Sequence, residues 1–334
     1  MSETLIVAVP SKGRLQEQTL AFFERSGLPI RQARGARDYF GTIDGLPGVD
    51  VQFRSASEIA REIGAGNVHL AVTGIDLLHE TLGGDGEDGF EKHIVAEDAP
   101  APAHIVTRLG FGHADVVVAV PQAWLDVQSM ADLADVAARF RLKHHRPMRV
   151  ATKYVALTRR FLTAHGVHDY LIVESPGATE GAPAAGTAEL IVDITSTGRT
   201  LIENGLKIVD DGVIMRSEAA LTASLKAGWT PAVRKACRTM LTRIAADDRA
   251  RSVKKIDAAI TVTDSLKADL TARAGVTLAG STADSLSLIC PRKKAQTEAE
   301  RLIGLGARTV TISSVEYVFE AENALFDALE ARLG

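Results

Sequence analysis

Between Ile191 and Leu201 the chain reads Ile-Val-Asp-Ile-Thr-Ser-Thr-Gly-Arg-Thr-Leu, an apolar strand with one acid that runs directly into a hydroxyl-rich loop. Thr195, Ser196, Thr197 and Thr200 offer hydroxyl donors, and Gly198 leaves backbone N–H groups open to close approach, so the loop suits a phosphate. If Thr200 and Leu201 open a helix, its N-terminus adds a dipole that favours an anion. Serine and threonine also cap ordinary helices, so on these residues alone a phosphate cradle and a plain capped helix weigh equally. Asp193 favours the cradle, because an acid inside an apolar strand end is costly unless a ligand needs it. A ribose diol or a phosphate-bound magnesium has that need. Arg199 either helps neutralise phosphate or points to solvent.

Three other strand ends carry related chemistry. Pro10-Ser11-Lys12-Gly13-Arg14-Leu15 places two cations and a glycine where a strand passes into a helix, the position at which open α/β sheets bind ligands. Cations there oppose the helix dipole, so a bound anion explains Lys12 and Arg14 better than helix stability does. Arg54 ends the next strand, and Thr73-Gly74-Ile75-Asp76 makes a further strand-to-helix turn. Each alone is an ordinary turn; together with residues 191–201 they call for one convergent cleft. In the small-residue loop Gly177–Pro183, Glu180 is a candidate for a hydroxyl or magnesium, and a plain loop weighs nearly the same.

Other patterns fail. Gly110-Phe111-Gly112 begins a dinucleotide fingerprint, but Asp115 stands where its third glycine belongs. There is no GxxxxGK[ST], His79-Glu80 lacks the second histidine of HExxH, and His144-His145 lies in a basic surface segment. No Ser/His/Asp order stands out.

The elements that must hold these residues alternate between β-rich and helical patterns, the mark of an α/β protein. Buried strands are expected at Leu5–Pro10, Val49–Arg54, His69–Thr73, Asp115–Pro121, Arg149–Thr152, Tyr170–Val173 and Ala188–Ile194, and shorter ones at Lys207–Val209 and Gly212–Met215. The glycine- and acid-rich stretch Leu82–Gly89 reads as an exposed loop. A long helix is expected over Thr230–Arg251, ending in a charged linker, Asp247–Lys255. A βαββαβ order over Asp257–Ser313 then matches a ferredoxin-like domain, followed by a helix over Glu316–Leu333.

With 334 residues, of which 46% are hydrophobic, the chain is long enough for two or three domains. A formal charge of −4 and only 5% aromatic residues argue against a nucleic-acid partner. Cys237 and Cys290 suggest neither a zinc site nor a disulfide framework. The start lacks a basic leader and no apolar run reaches membrane length, so a cytoplasmic protein is expected.

Taken in order, the motifs resemble those of the ATP phosphoribosyltransferase family, which opens histidine biosynthesis. The resemblance rests on Ser11–Leu15, Leu70–Asp76, Leu109–Gly112, Arg149–Thr152, Glu180, Ala188–Leu201 and Asn204–Leu206. Residues 188–206 match the family's phosphoribosyl pyrophosphate (PRPP) signature. After Gly112 the family usually shows a cysteine and an arginine where this chain has Ala114 and Asp115, so no role carries over to those positions. The tail resembles the regulatory domain of the family's long form, with a shortened first half and an extra helix after Ser314.

The resemblance implies an α/β, two-lobed core like the type II periplasmic binding proteins, plus a C-terminal ferredoxin-like (ACT-like) domain. Residues 1–104 and 213–246 would form domain I, 105–212 domain II with the PRPP loop, and 250–334 the regulatory domain. N1 of ATP would displace pyrophosphate from PRPP with inversion, with Mg²⁺ as cofactor. Lys12, Arg14 and Arg54 would be the catalytic cations. Gly13, Thr73, Gly74, Asp76, Glu180, Asp193, Thr195, Ser196, Thr197, Gly198, Arg199 and Thr200 would bind substrate, and Asp193 or Glu180 would reach a metal carried by PRPP. Histidine would inhibit, a chain ending near Arg251 would escape that inhibition, and the assembly would be a dimer or hexamer. The rival readings are a non-catalytic binding protein of the same fold and a phosphoribosyltransferase acting on another base.

Overall fold

A computed structural model describes residues 3–32, 39–83, 102–175 and 177–334. The chain opens with β1 (Leu5–Pro10), α1 (Gly13–Arg25), β2 (Ile30–Gln32), β3 (Phe40–Ile43), β4 (Val49–Arg54), α2 (Ala56–Ala65), β5 (Leu70–Gly74), α3 (Ile75–Leu82) and β6 (Ala103–Arg108). It then builds β7 (Ala114–Pro121), α4 (Met130–His144), β8 (Met148–Thr152), α5 (Val155–Ala164), β9 (Tyr170–Glu174), β10 (Leu190–Thr195), α6 (Arg199–Glu203) and β11 (Leu206–Ser217). β12 (Ala219–Ser224) and α7 (Pro231–Ser252) follow. The last part comprises β13 (Val253–Ala259), α8 (Asp264–Ala272), β14 (Thr277–Ser281), β15 (Ser285–Pro291), α9 (Ala295–Gly304), β16 (Thr309–Ser313) and α10 (Ala324–Leu333).

Lobe I is a seven-stranded sheet in the order β2-β3-β4-β1-β5-β12-β6. β1 runs parallel to both β4 and β5. Helices cover both faces of such strands, which is why β1 and β5 read as unbroken apolar runs rather than alternating ones. Lobe II is a five-stranded sheet, β11-β7-β10-β8-β9, in which β10, β8 and β9 are parallel. Its core gathers Val116, Val118, Val120, Leu133, Met148, Val150 and Tyr154. Two parallel-centred sheets joined by paired crossovers make the expected two-lobed, periplasmic-binding-protein-like α/β fold.

The domain limits shift from those expected. β6 pairs with β12 in the first sheet, so residues 105–108 belong to lobe I, and β11 pairs with β7 through Ser217, so residues 213–217 belong to lobe II. The chain crosses between Arg108 and Ala114 and returns between Ser217 and Ala219. The two short strands expected at 207–215 are one strand with a register irregularity between Ile208 and Val213. The expected loop at 82–89 lies, from residue 84 onward, outside the described residues.

The C-terminal sheet has the order β14-β15-β13-β16 and is antiparallel throughout. With α8 and α9 it is the ferredoxin-like βαββαβ unit, closed over Ile256, Ala258, Leu286, Leu288 and Leu302. No charged linker precedes it. Thr230 caps α7 by accepting from the Val233 N–H, Pro231 occupies the first turn, and the helix runs unbroken to Ser252, one residue before β13. Asp247 is buried there and pairs with Arg25 at 3.0 Å.

The final helix is shorter than expected, covering only Ala324–Leu333. Residues 314–323 are irregular, because their polar groups are satisfied by lobe I: Val318 N–H donates to Ala246 C=O and the Tyr317 hydroxyl donates to Arg25 C=O, both at 3.0 Å. α10 then inserts Phe326 and Leu329 into the core that contains Val233, Cys237, Met240 and Leu241. No helix of the described residues is long and apolar enough to cross a membrane.

Candidate active site

Because β1, β4 and β5 are parallel, their C-terminal ends share one edge of lobe I. Pro10 stands beside Arg54 in register, and Ser11 N–H donates to Arg54 C=O at 2.8 Å. Lys12 is the residue before α1 and has extended backbone, with no side-chain cap. Gly13 has φ of +74° with nothing near its missing Cβ, so glycine is required there by backbone conformation and not by space. Lys12, Gly13 and Arg14 are exposed. A cleft of about 800 Å³ opens here, bordered by Lys12, Tyr39, Phe40, Gln52, Arg54 and Ser55. Arg54 Nε donates to Gln52 Oε1 at 3.0 Å, which orients the guanidinium along the strand end. Ser55 and Glu58 form a capping box that fixes the start of α2.

Thr73 and Asp76 each have partners within the fold. Thr73 is fully buried and its hydroxyl donates to Ala56 C=O at 2.9 Å. Asp76 is also buried; it accepts from the Tyr154 hydroxyl at 2.7 Å and from Ser217 Oγ at 2.6 Å. Gly74 makes this possible, since a Cβ at that position would stand 2.3 Å from Asp76 Oδ1. Tyr154 belongs to lobe II and Ser217 to the return crossover, so Asp76 ties the lobes together. Burial, then the charge of Asp76, push the Tyr154 phenol well above its ordinary range, so it stays a donor. Glu80 reinforces the joint by accepting from the N–H groups of Ala156 and Leu157, each at 2.9 Å, at the start of α5.

Lobe II carries the second set of candidate residues. Asp193 lies half-buried in β10, two residues before its end, and its Oδ1 accepts from the Ile194 N–H at 2.8 Å. Gly198 has φ of +71° and precedes α6, with its N–H held by Thr195 Oγ1 at 2.9 Å. Thr195 thus caps the turn, whereas Ser196, Thr197 and Thr200 are exposed. The capping reading of this loop holds at Thr195. Arg199 is 83% exposed and pairs with Glu203 one turn along α6 at 2.7 Å, so its side chain follows the helix.

Glu180 sits on a short 3-10 turn, Thr179–Gly181. Burial, with Glu180 adding like-charge repulsion, holds the Asp193 carboxyl above the usual aspartate range; its own backbone hydrogen bond and Lys153 pull the other way. Lys153, Tyr154 and Glu80 escape the sequence reading. Lys153 was within reach of it, as a cation directly after a strand end.

Comparison with known proteins follows from this geometry. Residues 55–246 match the family model described as HisG, ATP phosphoribosyltransferase. An ATP phosphoribosyltransferase of Rhodopseudomonas palustris is 50% identical over 337 residues, covering 100% of this chain and 99% of the relative. This chain belongs to the ATP phosphoribosyltransferase family. A second such enzyme, from Afipia carboxidovorans, is 49% identical over 338 residues and covers both chains in full. A solved ATP phosphoribosyl transferase (HisG:HisZ) complex from Thermotoga maritima superposes with a TM-score of 0.50 at 22% identity. It covers 72% of this chain and 96% of that one, and supports the fold. Full-length identity to the two relatives extends the ATP phosphoribosyltransferase assignment across the C-terminal domain and α10. Transfer of the phosphoribosyl group from PRPP to ATP, the first step of histidine biosynthesis, is the activity of this chain.

Proposed function

We propose that lobe II holds PRPP and lobe I supplies the charges that meet the polyphosphates. What supports this reading is the division of chemistry between the lobes: carboxylates and exposed hydroxyls on and after β10, and Lys12, Arg14 and Arg54 at the ends of β1 and β4. Ser196, Thr197, Thr200 and the backbone at Gly198 hold the 5-phosphate, and Asp193 holds the ribose hydroxyls. Arg199 takes no part, since it is paired along α6. Asp76 acts at the lobe joint, and Thr73 steadies the start of α2 behind the lobe I strand ends.

Adenine N1 is already a neutral nucleophile, so no side chain serves as general base. The work is to align two polyanions and to stabilise the departing pyrophosphate. Among the described residues no cluster of three or more His, Cys, Asp or Glu is placed to hold a metal unaided. The like-charged Asp193 and Glu180 nevertheless fit a hard divalent cation whose remaining ligands come from PRPP. Mg²⁺ bound there supplies charge neutralisation for the pyrophosphate.

In the C-terminal domain we place feedback control by histidine, and we expect a homo-oligomeric, cytoplasmic enzyme. Incubating the protein with ATP, PRPP and Mg²⁺ and following the ultraviolet absorbance of phosphoribosyl-ATP tests the reading. Product should form only with all three present; turnover that ignores Mg²⁺ would remove the metal from it.

A further inference from the structure

Lys153 follows β8 at the same edge of lobe II as Asp193. β8 and β10 pair in parallel with Thr152 beside Val192. The chain leaves β8 at Lys153 while β10 continues with Asp193, so the two residues directly follow a paired position on neighbouring strands. The Lys153 side chain is exposed and lies over the buried Tyr154 ring, its Nζ 5.0 Å from the ring centre. Since the Tyr154 hydroxyl is bonded to Asp76 of lobe I, the ring that supports Lys153 is itself fixed at the lobe joint. Among the described residues Lys153 is in no ion pair within 4.0 Å. It is an ammonium held in place and open to a ligand.

We propose that Lys153 is a substrate-contacting residue that grips the pyrophosphate of PRPP from lobe II, resting on the placement of PRPP argued above. PRPP carries a phosphate at one end of its ribose, a pyrophosphate at the other, and a diol between them. Along the edge of lobe II, the loop at 195–200, the carboxylate of Asp193 and the amine of Lys153 present acceptors of those three groups in the same order. An ammonium is a compact point charge with three rotatable donors, suited to a phosphate group whose orientation changes as it departs. With Lys153 in this role, lobe II alone fixes both ends of PRPP, and the lobe I cations meet the charge that develops during displacement.

Steady-state kinetics on the full-length enzyme tests this. The probes are PRPP as substrate, and inorganic pyrophosphate and ribose 5-phosphate as inhibitors against PRPP. In Lys153→Met the KM for PRPP and the inhibition constant of pyrophosphate should each rise roughly tenfold or more, as loss of a charge-assisted hydrogen bond requires. The inhibition constant of ribose 5-phosphate, which has no pyrophosphate, should stay within about twofold, and Lys153→Arg should recover most of the loss. Unchanged constants, or an equal rise for all three ligands, would overturn the assignment. Asp193→Asn separates the two levels: if it too leaves PRPP and ribose 5-phosphate unaffected, the placement of PRPP on lobe II fails and not merely the role of Lys153.

Discussion

Asp193 is half-buried with Glu180 close enough to repel it, and its carboxyl therefore ionises less readily than an exposed one. A folded-state pKa raised above the ordinary 3.8 means that the folded protein binds the proton more tightly than the unfolded chain. The ionised carboxylate consequently destabilises the fold at neutral pH, and that penalty is relieved as pH falls through the raised pKa toward 3.8. Asp193→Asn removes the charge and keeps the shape. Thermal melting at pH 7 should show the variant at least as stable as the parent, with the difference shrinking on acidification. A clear loss of stability at pH 7 would make Asp193 a structural residue.

At the scale of elements, the joint between lobes depends on α3 and α5. Glu80 caps α5 from the other lobe, satisfying two N–H groups that the helix cannot satisfy itself. Glu80→Ala should cost about 1–2 kcal/mol in denaturant unfolding, the range of a lost cap. It should also lower turnover, because the cleft walls would lose their fixed spacing; full activity would show that the joint does not set the site. These contacts mark the limit of sequence reading. The ends of β1 and β10 were legible because a strand, a glycine and a charged or hydroxylic turn are adjacent in the chain, and that of β4 because a lone arginine closes the strand. Asp76 was legible as a loaded position, but its partners Tyr154 and Ser217 lie 78 and 141 residues away, so its use by the fold was not. Lys153 was within reach as a cation directly after a strand end, but its support by the Tyr154 ring was not, since that depends on the folded contact.

Across the whole molecule, the C-terminal domain is fastened to lobe I at both ends. α7 passes into β13 without a linker, and the segment after β16 returns along α1 and α7 before α10 enters the lobe I core. The fold class and the βαββαβ order were read from periodicity, whereas the return was not, since an amphipathic tail helix gives no sign of which surface it covers. This alters the outcome expected for a chain ending near Arg251. Such a chain lacks Phe326 and Leu329, and its lobe I core is left open. Phe326→Ala alone should destabilise the protein by about 3–5 kcal/mol. The truncated chain should melt well below the full one before any release from histidine can be read. A truncated form as stable as the parent would show α10 to be dispensable.

The mechanism turns on PRPP being held on lobe II through Asp193. The PRPP dependence of the initial rate of phosphoribosyl-ATP formation, measured for Asp193→Asn beside the parent at saturating ATP and Mg²⁺, tests it most directly. The variant should lose roughly a hundredfold or more in kcat/KM for PRPP, as expected when a charged contact to the reacting ribose is removed, while remaining folded at the parent's melting temperature or above. A folded variant whose kcat/KM for PRPP matches the parent's would contradict the account.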